Sequence, residues 1–225
     1  MNSVNIVFIA PPAAGKGTFS KILKEKWGFT HISAGDLLRN VDSSSSVYEE
    51  IQEVLRTGAL VRGEIIMTLL KEKLLSIDLS KGFILDGFPR NLDQAFAFGD
   101  LLKEVNIGVD KAIYLDVDID TALKRVLGRL SCPKCNRDYN SLTGYHTPKN
   151  EGLCDDCHTE LVKRSDDNEE SFKKRYITYQ NETAPVIKFF EDLDILVRLD
   201  ATKDMCETLK ELEKELGLGE IDDNN

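Results

Sequence analysis

A lysine flanked by glycines, with a hydroxyl close behind it, binds phosphate when a strand leads in and a helix leads out. The segment Ala10-Pro11-Pro12-Ala13-Ala14-Gly15-Lys16-Gly17-Thr18 has that setting and reads as a Walker A loop. Backbone N–H groups of the loop and of the helix start can surround phosphate oxygens, where the helix dipole also favours negative charge. Lys16 would reach the outer phosphates of a nucleotide, and the Thr18 hydroxyl would lie near Mg²⁺. The match departs from the consensus in three places. Ala10 stands for the first glycine, Ala13 for another, and the hydroxyl follows Gly17 and so comes one residue late. The alanines stiffen the loop and must accept its dihedrals without glycine's freedom.

The second chemical constellation is made of sulfur. Cys132-Pro-Lys-Cys135 and Cys154-Asp-Asp-Cys157 are separated by eighteen residues, the spacing of a four-cysteine zinc ribbon. Too few apolar residues lie between the pairs to build a core, so a metal would have to hold the segment together. Four thiolates complete the coordination sphere and leave no open position, which makes the expected zinc structural. Iron in the same all-sulfur site and four reduced or disulfide-paired cysteines are the alternatives. His146 and His158 flank the site and read as solvent-exposed, His31 reads as structural, and the lone Cys206 as a small apolar filler.

Positioning these groups requires a rigid frame, and the hydropathy pattern supplies one. Short apolar runs alternate with helical patterns, the signature of a mainly parallel sheet wrapped by helices. Strands are predicted at residues 4–10, 30–32, 83–85, 112–115 and 195–199. A helix is predicted from Lys16 to Trp27, and others carry Ile65, Ile66, Leu69, Leu70 and Leu74, end at Leu101 and Leu102, or carry Leu209, Leu212 and Leu216. Residues 33–63 break the alternation with two short helical patterns around a polar run at 42–46. Residues 130–163, rich in Gly, Pro, Asn, Asp and Cys, break it again. The acidic end, 220–225, reads as frayed.

Further motifs narrow the reading beyond "nucleotide". Ile32-Ser33-Ala34-Gly35-Asp36-Leu37-Leu38-Arg39 and Gly82-Phe83-Ile84-Leu85-Asp86-Gly87-Phe88-Pro89-Arg90 resemble signatures of the adenylate kinases. So do Arg125-Val126-Leu127-Gly128-Arg129 and the run from Arg164 through Asp166 and Asp167 to Lys174-Arg175, while a late hydroxyl after Lys16-Gly17 is usual in that family. The resemblance runs in order from Val4 to about Lys203. It implies a P-loop NTPase-type α/β fold with a parallel five-stranded sheet, and reversible phosphoryl transfer from Mg-ATP to AMP. It also implies a core of residues 1–32, 64–129 and 164–225, a helical AMP-binding insert at 33–63, and a zinc-bearing lid at 130–163.

The same resemblance assigns roles to individual positions. Arg39 and Arg90 would hold the AMP phosphate, Gln94 would read the AMP base, and Ala34, Gly58, Ala59, Leu60, Val61 and Gly87 would line that pocket. Arg125 would lie beside the ATP base, Asp138 and Tyr139 would contact ATP from the lid, and Lys203 would sit near the donor base. Arg129, Arg164 and Arg175 would clamp the transferring phosphoryl group, the last two also reaching AMP. Asp86 would act through water on Mg²⁺, with Asp36 in the same polar network, and Asp166 and Asp167 would be lid-hinge acids. Family members usually carry threonine at Ala34 and a longer polar residue at Ala59, so acceptor affinity and choice are where this chain could differ. A GTP donor or a pyrimidine monophosphate acceptor are the alternatives within the class, and an inactive relative is a third.

The chemistry asks for cations and not for a general base, because a phosphate monoester is already a competent nucleophile. Arginine suits the task because its planar fork binds phosphate bidentately and stays charged. Six of the ten arginines fall in the motifs above, while Arg56, Arg62, Arg137 and Arg198 read as surface charges. The net charge of −10 argues against nucleic acid and acidic membranes, but not against nucleotides in a locally basic cleft. The cysteine-rich segment itself holds three basic and four acidic residues between Cys132 and Cys157, unlike a nucleic-acid-binding ribbon. The apolar run at 6–10 is closed by Pro11 and Pro12 and has no basic leader, so it reads as a strand and the protein as cytoplasmic. Family members are commonly monomeric, which sets that expectation here.

Overall fold

A computed structural model describes residues 3–57, 59–135, 137–143, 146–164 and 166–219. Five parallel strands form the central sheet: β1 (Ile6–Ile9), β2 (Thr30–Ser33), β3 (Phe83–Asp86), β4 (Lys111–Asp116) and, last in the chain, Leu196–Asp200. Numbering that last strand β7, after the pair β5 (Arg129–Ser131) and β6 (Asp138–Asn140), the sheet order is β2-β3-β1-β4-β7. The bounds differ from the expected ones by a few residues at most. At β1 the apolar run extends past the paired residues into loop at both ends, and hydropathy alone does not mark where pairing stops.

Period-two alternation in β1 sorts its side chains onto the two faces. Val7 and Ile9 join a core with Leu85, Phe83 and Tyr114, packed by α2 (Ala34–Arg39), α4 (Gly63–Ser76), α5 (Leu92–Glu104) and α8 (Ala184–Asp192). Ile6 and Phe8 join Ile84, Ile113 and Leu199 on the other face, packed by α1 (Lys16–Trp27), α6 (Ile119–Gly128) and α9 (Met205–Glu215). Phe172 of α7 (Glu169–Thr178) also lies in that second core. Helix α1 runs over the predicted residues because left-handed glycines bound it, Gly15 at φ 99° and Gly28 at φ 78°.

Between β2 and α4 lie α2 and α3 (Tyr48–Thr57), the two short helices expected there. Between α6 and α7 the chain makes the antiparallel pair β5–β6 and a small cluster of Cys132, Tyr139, Cys154 and Leu161. That cluster is too small to stabilise some thirty residues by apolar burial alone. Cys206 departs from expectation: it is exposed in the first turn of α9, where Asp204 accepts its backbone N–H.

The β5–β6 pair seats on α6 through a glycine. A Cβ at Gly128 would lie 2.3 Å from Asn140 Oδ1 and 2.8 Å from Leu142 Cβ. Gly128→Ala is therefore expected to destabilise the protein by about 1–3 kcal/mol, read as a lower midpoint in denaturant. An unchanged midpoint would mean that the 140–142 loop yields freely.

Candidate functional site

The strand order reverses around β1, whose neighbours β3 and β4 are reached from opposite sides, and such switch points at carboxyl ends of strands form binding crevices. A cleft of 620 Å³ opens there. Its floor is the loop between β1 and α1. Ala13 takes a left-handed φ of 61° and Gly15 one of 99°, so Ala13 accepts the dihedral that glycine would take more easily. The cost is roughly 1–2 kcal/mol. No side chain caps α1 and no acidic residue stands in its first turn, so its positive end is presented to the cleft.

Lys16 leads α1, and its Nζ donates to the carbonyls of Ala10 (3.2 Å) and Pro11 (3.3 Å). Burial pushes its pKa down, and Arg90, Arg129 and Arg175 push the same way, while Asp86 opposes them. Asp86 ends β3 beside the loop, across from Phe8 in register. Burial tends to raise its carboxyl, but the His31 imidazole 3.7 Å away and the Lys16 charge outweigh that and hold it below the usual carboxylate range. Gly87 follows at φ 80°, and its carbonyl accepts the Arg90 Nε–H at 2.8 Å.

The remaining arginines come from separate elements and converge on this cleft and a 150 Å³ pocket beside it. Arg125 on α6 donates from Nη2 to the Ala201 carbonyl at 2.7 Å, tying α6 to the loop after β7. Arg129 makes a two-pronged pair with buried Asp167, Nε to Oδ2 at 2.7 Å; burial works against its charge, and this pair more than compensates. Arg175 on α7 donates to Asp166 Oδ2 at 2.9 Å and its Nη2 lies 3.7 Å from Asp167. Arg164 pairs with Asp138 at 3.2 Å. Two acids at 166–167 thus set the spacing of Arg129 and Arg175.

The smaller pocket collects Ala34, Arg39, Ala59, Leu60, Val61, Gly87, Arg90, Gln94 and Arg175. The Gln94 Oε1 accepts the Arg90 backbone N–H at 2.8 Å. Gly58 falls outside the described residues. Asp36, expected in the network of Asp86, instead pairs with Arg39 at 2.6 Å within α2. Arg56, Arg62 and Arg198 are surface ion pairs, as expected, and Arg137 lies over the Tyr139 ring, paired with Asp156.

One expected cleft contact is turned elsewhere. Tyr139 borders the cleft but is buried, its hydroxyl donating to Cys154 Sγ (3.4 Å) and accepting the Asp155 N–H (2.7 Å). Lys203 also borders the cleft, with its ammonium on Glu211 at 2.8 Å. Conversely, Thr121, Asn140 and His146 line the cleft without having been singled out for it from sequence. Nothing local marks them, since each reaches the cleft only through the seating of its loop or helix.

The four cysteines meet as expected. Their sulfurs all lie within 4.8 Å of one another, with Cys132–Cys157 at 3.3 Å and Cys135–Cys154 at 3.5 Å. Tetrahedral Zn–S bonds of about 2.3 Å put sulfurs roughly 3.8 Å apart, so the set fits such an ion. The Tyr139 hydroxyl draws the Cys154 thiol down to about 6, while Cys135, against the pull of the Arg137 N–H, is pushed up to about 12 by burial and the three neighbouring sulfurs. His158 is exposed and stands apart from this set.

Comparison with known proteins agrees with this geometry along nearly the whole chain. The family model described as adenylate kinase matches residues 8–195. An adenylate kinase of Fervidobacterium nodosum is 39% identical over 215 residues, covering 95% of this chain and 98% of that one. Those of Thermosipho melanesiensis and Archaeoglobus fulgidus are each 40% identical, covering 93% of this chain and 97% and 96% of theirs. With the phosphate loop, the convergent arginines and the full-length likeness in agreement, the chain belongs to the adenylate kinase family.

Proposed function

We propose that the protein transfers a phosphoryl group reversibly from Mg-ATP to AMP, giving two ADP, with the 620 Å³ cleft holding the donor and the smaller pocket the acceptor. The observation that carries this is the pair of adjoining pockets sharing Arg39, Gly87 and Arg90, so that donor and acceptor phosphates meet between them. An acceptor phosphate oxygen attacks the γ-phosphorus in line. The bond to the β,γ-bridging oxygen breaks, and its electron pair stays on the departing ADP.

The protein's part is positioning and charge. Lys16 exchanges its two long carbonyl contacts for the outer phosphates, and Arg90 with Arg39 holds the acceptor. Arg129, Arg164 and Arg175 neutralise the equatorial oxygens as the lid comes down. Removing water matters because water in an open site would accept the phosphoryl group. Gln94, whose Oε1 is taken by Arg90, offers the acceptor base its NH2. Asp86, held ionised, and the Thr18 hydroxyl are hard oxygen donors that would suit Mg²⁺ and its waters, and the ion would supply charge neutralisation to the phosphates.

The working division is a core of residues 1–32, 64–129 and 164–225, an acceptor insert at 33–63 and a lid at 130–163. Zinc bound by Cys132, Cys135, Cys154 and Cys157 takes the place of the lid's missing core. A single chain supplies every group of the clamp, which supports a monomer. No helix among the described residues is long and apolar enough to cross a membrane. Four cysteines gathered without a disulfide suit a reducing compartment, which supports the cytoplasmic reading.

Product analysis by chromatography tests the proposal. ADP should form from Mg-ATP with AMP and not with other nucleoside monophosphates, without free phosphate. A different preferred acceptor would point to Ala34 and Ala59, and release of phosphate without transfer would overturn the closed-site reading.

A further inference from the structure

Between α7 and α8 the helix is interrupted by one π-turn, Tyr179–Thr183. Such single turns carry an extra residue, and they are costly enough to concentrate at functional sites. Here the turn changes what Thr183 can reach. The residue stands at the N-cap of α8, yet its side chain makes no capping bond to that helix. Its hydroxyl instead donates to the carbonyl of Arg90 at 2.9 Å, ninety-three positions away in the chain. Thr183 is 9% exposed, so this contact is sheltered from water.

The contact completes a set. The Arg90 N–H goes to Gln94 Oε1 (2.8 Å), its carbonyl to Thr183 Oγ1 (2.9 Å) and its Nε–H to the Gly87 carbonyl (2.8 Å). Main chain and guanidinium are therefore both tied down. The π-turn is itself anchored below: the Tyr179 hydroxyl lies 3.3 Å from that of Tyr114 on β4, whose own hydroxyl donates to Asp116 at 3.2 Å. Burial pushes the Tyr179 phenol up, so it stays neutral and able to donate. One turn earlier than Tyr179, Arg175 enters the same acceptor pocket as Arg90.

The geometry points to Thr183 as a positioning residue for phosphoryl transfer, with the π-turn fixing the distance between Arg90 and Arg175 across the acceptor phosphate. It acts through the Arg90 backbone and touches no substrate. Without the hydroxyl, the Arg90 carbonyl loses its partner and the segment after β3 can drift relative to α7. Small misplacements of a clamping group are enough to cost about tenfold to a hundredfold in rate.

This inference rests on the phosphotransfer reading above, and wild-type turnover with ATP and AMP separates the two. If the wild type is inactive, that reading fails. If it is active, the hydroxyl is tested by Thr183→Val, which keeps the shape, and Thr183→Ser, which keeps the donor. At a temperature well below every variant's Tm, Thr183→Val should lower kcat/KM for AMP about tenfold while KM for ATP stays within about twofold. Thr183→Ser should restore the AMP parameters to within about threefold. Should the valine variant not fold, Thr183→Ala carries the same comparison. A variant lacking the hydroxyl that melts lower but keeps its AMP kinetics would overturn the inference, as would a KM for ATP that rises as much as the KM for AMP.

Discussion

Arg90→Ala is expected to lower turnover about a hundredfold or more in a protein that still folds. Removing a preorganised charge from a transition state in which negative charge is spread over phosphoryl oxygens costs about 3–4 kcal/mol. Arg90 meets the conditions for an effect of that size. Burial pushes its pKa down, with Asp86 working against that, yet it remains an always-charged group. Its guanidinium is aimed by the Gly87 carbonyl, and it borders both pockets, so in the proposed reaction both ground-state AMP binding and the transition state would depend on it. The fold should survive because the side chain holds no core together: Val7, Ile9, Leu85 and Phe88 pack independently of it. Steady-state kinetics beside a thermal melt decide the matter. A correctly folded variant with near-normal rates would remove Arg90 from the clamp.

Loss of the metal should have the second largest effect, on the lid. Freshly purified protein should carry about one equivalent of zinc, and either Cys132→Ala or Cys154→Ala should reduce that below a tenth. Metal at such a site contributes about 10–16 kcal/mol to folding the segment that binds it. The lid's own core is one small cluster, so apolar burial does not replace that contribution. The 130–163 segment should then become open to limited proteolysis while the sheet persists by circular dichroism. Phosphoryl transfer should fall together with it, because the Arg164–Asp138 pair depends on the lid's fold. Under about half an equivalent of any metal in the untreated protein, or a lid equally protease-resistant after chelation, would rule against the metal.

Much of the candidate site was legible before any coordinates. A phosphate loop declares itself through strand, turn and helix chemistry within nine residues. Asp86 ends a strand that hydropathy alone locates to within a few positions, and Lys16 and Arg90 lie in the segments that follow such strands. Helix α1 could be bounded correctly because Gly15 and Gly28 are local signals for a left-handed turn. The cysteine pairs are likewise a local pattern whose metal geometry follows from their spacing. The π-turn was not legible, because an i→i+5 turn leaves no trace in a hydropathy pattern that fits an α-helix equally well.

By itself, then, the sequence determined the elements, the order of the motifs and the chemical types on offer, all of which depend on residues near one another along the chain. The tertiary structure alone decided the pairings. Tyr139 turned its hydroxyl to Cys154, and Asp166 and Asp167 took Arg175 and Arg129. Thr183 reached Arg90 from the far end of the chain. Each of these depends on where a second segment lands once helices and sheet have packed. The energy of one hydrogen bond, about 1 kcal/mol net, is too small to dictate that placement and is instead set by it.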